Sequence, residues 1–294
     1  MPPASAEYSR GPMARTDTSA TTRSRGAYGL RIVGLRKAAR LLLPAGSAWP
    51  RLRVVVEQGH AAECEGMVDD ERAVVLFQNG GMLEVDRRSA RAVYTLPQDP
   101  TPDELVHPYL APAAAAMARW HGRETFHAGA FVVGSGVWGV LAEREGGKSS
   151  TLASMALDGV AIVCDDVLVL EANVAYAGPR AIDLRGQAAR ALGVGEPLGV
   201  VGSRERWRLA LDDVEIELPL RGWVFLTWGD ALAFESVPAG ERLRRLAGQR
   251  AVALPPTDPG VLLRLAALPG FELRRPRRWS SIAPAVELLL TSLP

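Results

Sequence analysis

Residues Phe126–Leu170 read FHAGAFVVGSGVWGVLAEREGGKSSTLASMALDGVAIVCDDVLVL, and this stretch decides the fold. An apolar run, Ala130–Val133, turns at Gly134-Ser135-Gly136 and resumes as Val137–Leu141, a buried strand. A glycine turn follows and ends in Gly147-Lys148-Ser149. Ser150–Ala153 begin a helix that ends near Asp158-Gly159, and Val160–Cys164 form a second buried strand. That strand delivers Asp165 and Asp166 at its carboxyl end. A strand feeding a Gly-Lys-Ser turn at a helix start suits a phosphate, because unpaired backbone N–H groups converge there. Ligands of α/β sheets bind at the carboxyl edge of the strands. A carboxylate pair at that edge can hold Mg²⁺ and accept a proton from an attacking hydroxyl, as phosphoryl transfer requires.

The general phosphate-loop pattern is GxxxxGK[ST], whose amides hold phosphates while the lysine neutralises charge and the hydroxyl binds Mg²⁺. The window here is Ala142-Glu143-Arg144-Glu145-Gly146-Gly147-Lys148-Ser149, so the end is intact and the first glycine is alanine. Two carboxylates beside a triphosphate are unfavourable unless they point outward or Mg²⁺ offsets them. Ala142 and Glu145 also enter positive φ less cheaply than glycine, by on the order of 1 kcal/mol each. Arg144 can replace part of the lost loop contacts. His127, beside the apolar run, is a candidate phosphate or aspartate contact, against the commoner structural role of a lone histidine.

Upstream, Leu52–Val56, Ala73–Phe77, Met82–Val85 and Ala92–Tyr94 are β-rich runs, and Asn79-Gly80-Gly81 is a hairpin turn whose residues accept positive φ. The segment 27–104 therefore reads as a small antiparallel β module ending in a Pro/Asp-rich linker, 97–104. Leu105–Trp120 reads as one helix ended by Gly122. Residues 1–26 have hardly any large apolar side chain and read as a disordered tail. Its arginines, Arg10, Arg15, Arg23 and Arg25, are solvated or meet an acidic partner. Downstream, strands are expected at 174–184, 207–211, 222–227, 231–237 and 271–273, with helices at 186–192, 238–246, 259–268 and 282–290. Mixed strands and helices imply an α/β or α+β domain over 105–294. The basic run Arg274–Arg278 is a solvated strand end or a seat for an acidic peptide or pyrophosphate.

The chain has 294 residues, 48% hydrophobic and 23% charged, ordinary for a soluble globular protein of about two domains. A formal net charge of +1 gives no overall electrostatic case for nucleic acid or an anionic membrane. The tryptophans lie mostly in apolar runs and read as core. Cys64 and Cys164 are far apart and lack metal-ligand spacing, which argues against a disulfide scaffold or a zinc site and fits a reducing cytoplasm. No apolar run approaches the roughly 20 residues of a membrane span, and the N-terminus lacks the apolar centre of a signal peptide.

The order His127-Ala128-Gly129, a strand, Gly147-Lys148-Ser149-Ser150-Thr151-Leu152-Ala153, a helix, then Cys164-Asp165-Asp166-Val167 resembles the HPr serine kinase family. Its catalytic domain has a fold related to phosphoenolpyruvate carboxykinase. The resemblance runs with falling strength from Leu105 to the C-terminus. Gly178-Pro179-Arg180, Ala181–Arg185, Arg206–Leu211, Leu220–Leu226 and Leu273–Arg277 are similar to the short HPr-kinase-like proteins of bacterial biosynthetic clusters, including lasso-peptide kinases. The N-terminal β module also resembles theirs. The resemblance implies an ATP-dependent kinase that phosphorylates a serine or threonine hydroxyl of a ribosomally made peptide, or a small metabolite. It implies that Arg144, Gly146, Gly147, Lys148, Ser149 and Ser150 hold the nucleotide, and that Ser149 and Asp166 hold Mg²⁺. Catalysis would rest on Asp165, Asp166, His127 and Lys148, with one aspartate the base and the other supporting metal or histidine. A homo-oligomer is compatible with it. Arg180, Arg206 and Arg208 are phosphate or substrate contacts, or surface charge. The altered loop keeps a second reading open, a catalytically impaired relative that binds a peptide for other enzymes of its cluster.

Overall fold

The computed structural model describes residues 24–61, 64–256 and 258–294. The first sheet holds β1 (Arg25–Ala27), β2 (Leu30–Val33), β3 (Leu43–Pro44), β4 (Arg51–Gln58), β5 (Met67–Val68), β6 (Arg72–Leu76), β7 (Met82–Asp86) and β8 (Arg91–Leu96), in the spatial order β3-β1-β2-β4-β8-β7-β6-β5. Asn79-Gly80-Gly81 joins β6 to β7 as a hairpin, with the Phe77 N–H donating to Gly81 O at 2.8 Å and Gly80 at φ +80°. Apolar side chains alternate inward, as Leu52 and Val54 do on β4.

Two expectations change here. The sheet is mixed, because β2 pairs with β4 and β4 with β8 in parallel. A parallel neighbour needs a crossover rather than a tight turn, and the 3₁₀ segment Arg36–Leu41 and β3 lie in the connection between β2 and β4. Arg25 and Gly26 belong to β1 and not to a tail. The tail residues 1–23, with Arg10, Arg15 and Arg23, lie outside the described residues.

The 97–104 stretch is not wholly a linker: it closes with the short helix α1 (Pro102–Glu104), fixed by a capping box between Thr101 and Glu104. The regular helix α2 spans Leu110–Trp120, five residues shorter at its start than the apolar pattern suggests. Pro108 has no N–H to donate and disfavours helical geometry at the residue before it. His107 accordingly sits at φ −150°, ψ 120°. The alanine-rich α2 is buried on nearly every side and touches both β7 and, beyond it, the second sheet. The first apolar core thus joins the first sheet to α2, Val167, Val169 and Tyr176.

The second sheet is built from β9 (Glu124–Phe126), β10 (Ala128–Val133), β11 (Gly136–Ala142), β12 (Ile162–Cys164), β13 (Leu168–Glu171) and β14 (Val174–Tyr176), joined by β18 (Glu217–Trp228), β19 (Ala233–Ser236) and β20 (Gly270–Arg275). Between β14 and β18 the chain forms a three-stranded sheet, β15 (Ala181–Leu184), β16 (Glu196–Val201) and β17 (Arg204–Ala210), in the order β15-β17-β16. β16 falls in a glycine-rich stretch with no strand pattern, and no strand is expected there. Its two proline and glycine positions break the apolar alternation.

The long strand β18 organises the second sheet. Its first residues pair with β14, and its remainder runs parallel to β11 on one side and β20 on the other. One face of that half, with Val140, Val224, Leu226 and Leu273, packs on α3 (Lys148–Leu157) and α7 (Ile282–Ser292). The opposite face, with Leu141, Trp223 and Phe225, packs on α5 (Ala239–Gly248) and α6 (Val261–Ala267). Gly139 leaves room for the Trp223 ring, since a Cβ there would lie 2.6 Å from it. α4 (Gly186–Leu192) covers β17. The fold class is therefore mixed α/β, with helices on both faces of the sheet. Among the described residues no helix is long and apolar enough to cross a membrane.

Candidate functional site

Four strands end at one edge. β11, β18 and β20 run parallel, and β12 shares their direction because it and β11 both pair antiparallel with β10. Their carboxyl ends place the loop 143–147, Asp165-Asp166, Trp228 and Arg275 side by side. The start of β10 brings His127 to the same edge.

The loop turns through a Gly146 N–H donating to Glu143 O at 2.8 Å, with Glu145 at φ +66° and Gly147 at φ +83°. Gly146 is required by space: a Cβ would sit 2.8 Å from that of Ala142 and 2.9 Å from Glu143 O. Gly147 is required twice, by its left-handed backbone and by the Arg275 guanidinium, which a Cβ would meet at 2.3 Å. Glu145 pays the left-handed strain expected of a non-glycine, about 1–2 kcal/mol. Its carboxylate turns to the flank, 3.0 Å from Arg185 and 3.9 Å from Arg277. The unfavourable approach of that carboxylate to a bound phosphate is thereby reduced. Ala142 remains in β11, so the missing first glycine costs no strained backbone. Arg144 and Glu143 are exposed on the turn.

No side chain caps α3, which starts at Lys148 and leaves its first backbone donors for another acceptor. Ser149 and Ser150 lie in this first turn, half-buried. The Thr151 hydroxyl donates to Gly147 O at 2.9 Å and ties the turn to the helix. The Lys148 ammonium reaches across to β12, donating to Asp166 O at 3.4 Å and lying 3.8 Å from its carboxylate.

The two aspartates differ. Asp165 is 6% exposed and one carboxylate oxygen has no hydrogen-bond partner. Burial raises its pKa, against the lowering pull of Lys148, His107 and Ser149. Asp166 is exposed, its side chain 51% accessible. The hydration it loses acts upward, but Lys148, His107, His127 and Arg206 outweigh it and hold the group below the usual carboxylate range. Two neighbouring carboxylates are thus pushed apart, one toward the acid form and one kept ionised.

His107, from the break before α2, was not expected at the site. It is 3% exposed, Nδ1 has no partner among the described residues, and its position lowers the pKa of both aspartates. A His-Pro pair interrupting a helical pattern is the one sequence signal that marks it. Tyr28 is a second addition. It stands at φ +60° in the β1–β2 turn, with its ring against Gly178 and near Cys164. Burial, then Asp166, Cys164 and Asp165, push its pKa well up. Gly178 leaves the space, since a Cβ would be 3.0 Å from that ring. The His127 backbone N–H donates to Gln249 O at 2.8 Å. The imidazole lies on an exposed residue, and its partial loss of hydration, with Lys148, draws its pKa down against Asp166.

Arg275 is 2% exposed and stacks its guanidinium 4.3 Å from the centre of the Trp228 ring. Its Nε has no partner, and burial pushes its pKa down to about 10. Arg274 instead pairs with Glu272 and Glu235, and Arg277 and Arg278 are exposed. Arg180 and Arg208 serve the scaffold. Arg180 donates to Ile162 O at 2.6 Å and Asp212 O at 2.7 Å, and Arg208 to Asp183 at 2.8 and 3.0 Å. Trp207, Trp228 and Trp279 are half-buried or exposed, unlike the core Trp138 and Trp223.

Among the described residues no group of three or more His, Cys, Asp and Glu could hold a metal ion on its own. Cavities of about 530 and 730 Å³ lie elsewhere, one beside Leu43 and Asp213–Glu217, the other beside Asp69, Arg119 and Pro255.

No protein-family model matches the chain, and no curated protein matches it in sequence. Among solved structures, the Hpr(Ser) kinase/phosphatase from Coxiella burnetii is similar over 57% of this chain and 93% of that one, at 12% identity and a TM-score of 0.28. A likeness of that size does not by itself show a shared fold or activity.

Proposed function

We propose that this edge binds the phosphates of a nucleotide, ATP, and transfers its terminal phosphoryl group to a hydroxyl. The observation that carries the reading is Lys148 at the uncapped start of α3, 3.8 Å from an ionised Asp166 on the neighbouring strand end. The α3 amides and Lys148 would take the phosphates, with Arg275 behind Gly147 adding positive charge from a low-dielectric site. One of the two aspartates would accept the proton of the attacking hydroxyl as its oxygen bonds to the terminal phosphorus and the bond to the nucleoside diphosphate breaks, while the other supports the metal. Ser149 and Asp166 suit Mg²⁺, a hard cation that takes few protein oxygens and completes its shell with phosphate and water. The unpartnered oxygen of Asp165 beside Ser149 fits that donor set. Mg²⁺ would supply charge neutralisation on the phosphates. A serine or threonine of a ribosomally made peptide, such as a lasso-peptide precursor, is the proposed acceptor, with a small metabolite as the alternative.

A non-catalytic peptide-binding role is favoured by one observation, the strained Glu145 in the loop. Differential thermal unfolding separates the two. With Mg²⁺ present, ATP should raise the melting temperature of the native chain, and Lys148→Ala should lose the shift. No shift with ATP, GTP or pyrophosphate would sink the kinase reading.

A further inference from the structure

Five arginines crowd the outer side of the loop, and carboxylates do not match them in number. Arg144 lies on the loop, Arg185 before α4, Arg204 and Arg206 on one face of β17, and Arg277 beyond β20. Residues two apart on a strand share a face, so β17 carries Arg204, Arg206 and Arg208 as a row. Asp183 saturates Arg208 and stands 3.8 Å from Arg206, whose Nε is buried without a partner. Among the described residues Arg144 and Arg204 make no ion pair. Besides Asp183 at Arg206, Glu145 is the carboxylate that reaches into the group among the described residues, at 3.0 Å from Arg185 and 3.9 Å from Arg277. The mutual reach is also visible in Arg204, whose pKa is lowered by burial first and then by Arg144, Arg185 and Arg206. Arg206 acts in turn on Asp166, so the group extends to the carboxylate of the site.

Like charges held together cost stability unless an anion offsets them, and guanidinium groups offer paired donors matched to carboxylate oxygens. One phosphate would need two of them. Five, spread over four chain segments that end at Asp166, suit an extended polyanion. We propose that these arginines seat an acidic segment of a peptide carrying the acceptor hydroxyl, and that Glu145 fills part of this seat in the unliganded protein. The inference rests on the kinase reading for the word acceptor, but not for the binding. Glu145 then has a reason for its strained backbone: its carboxylate stands where a carboxylate of the peptide would bind, and it leaves when the peptide enters.

The test uses the full chain and a fluorescent serine-containing peptide rich in aspartate and glutamate, with a length-matched asparagine/glutamine peptide as control. Binding is read by anisotropy without nucleotide, and the ATP-dependent melting shift is measured in parallel. The acidic peptide should bind at least about tenfold more tightly than the control, and an Arg185→Gln/Arg204→Gln pair should weaken it by about tenfold. Glu145→Gln should strengthen it, and Arg204→Gln alone should leave the ATP shift unchanged. Equal binding of both peptides, or indifference to the arginine changes, overturns the proposal. So does a loss of the ATP shift in those variants with peptide binding intact, which would place the arginines in the nucleotide site. Peptide binding that follows the expected pattern without any ATP response keeps the acidic seat and removes the kinase reading.

Discussion

The buried arginines Arg180 and Arg208 and the edge arginines Arg185 and Arg204 are the same residue in two settings. Arg208 is 8% exposed with two hydrogen bonds to Asp183, and two more of its donors reach His107 O and Asp103 O. Arg180 spreads its donors over Ile162, Val163 and Asp212 carbonyls. Each is satisfied where it stands, as a buried charge must be. Arg185 is 55% exposed and among the described residues pairs only with Glu145, also half-exposed. The difference separates arginines that fix the fold from arginines still able to take a ligand. It also explains why a plain count of basic residues near Asp183 could not assign them.

The largest effect should come from breaking the saturated side. Arg208→Gln leaves Asp183, whose side chain is 1% exposed, without its bidentate partner and should cost about 3–5 kcal/mol in denaturant unfolding. Arg208→Met with Asp183→Leu should recover most of that loss, because no unpaired charge stays inside. Arg185→Gln should change stability by less than about 0.5 kcal/mol, since its ion pair is exposed and screened. Equal losses for Arg208→Gln and Arg185→Gln would erase the distinction.

A smaller effect should separate the two aspartates. The folded pKa of Asp165 is raised by burial above its unfolded value. Its favourable contribution is therefore present at acid pH, below the unfolded pKa, and is lost as pH rises through the folded one. Asp165→Asn should raise the melting temperature of the unliganded protein at neutral pH, and the gain should vanish as pH falls toward the unfolded carboxylate range. Asp166 is shifted the opposite way, so Asp166→Asn should lower the neutral-pH melting temperature instead. Parallel pH profiles for the two variants would show that the pair is not split.

Much of this edge was legible in the chain. The strand, the glycine turn, the α3 start and the strand before Asp165 follow from local patterns of apolar runs and turn residues. What sequence could not supply was long-range. His107 joins the aspartates only because Pro108 breaks the helical path, and Tyr28 arrives from a turn more than a hundred residues upstream. The mixed pairing of β2, β4 and β8 was hidden for the same reason, since a strand pattern fixes which face is buried and not which neighbour it meets. The arginine row was hidden differently: Arg204, Arg206 and Arg208 alternate alike in sequence, and only the register with Asp183 tells them apart.

A small stability effect is expected at Glu145, and it probes the edge side of the comparison directly. Glu145→Gly relieves a left-handed backbone worth about 1–2 kcal/mol, but glycine gives back about 0.5–1 kcal/mol in unfolded-state freedom. Loss of the exposed pairing to Arg185 takes about 0–1 kcal/mol more. The terms nearly cancel, so the unfolding free energy should move by less than about 1 kcal/mol. Gly147→Ala is the contrasting change in the same loop. It places a Cβ 2.3 Å from Arg275 in a φ +83° backbone, and it should destabilise clearly and blunt any ATP shift. If Glu145→Gly destabilised the protein as much as Gly147→Ala, the Glu145 carboxylate would belong with Arg208 and Asp183 as a fixed part of the fold. Near-neutral stability for Glu145→Gly would instead mark a side chain that the fold can release.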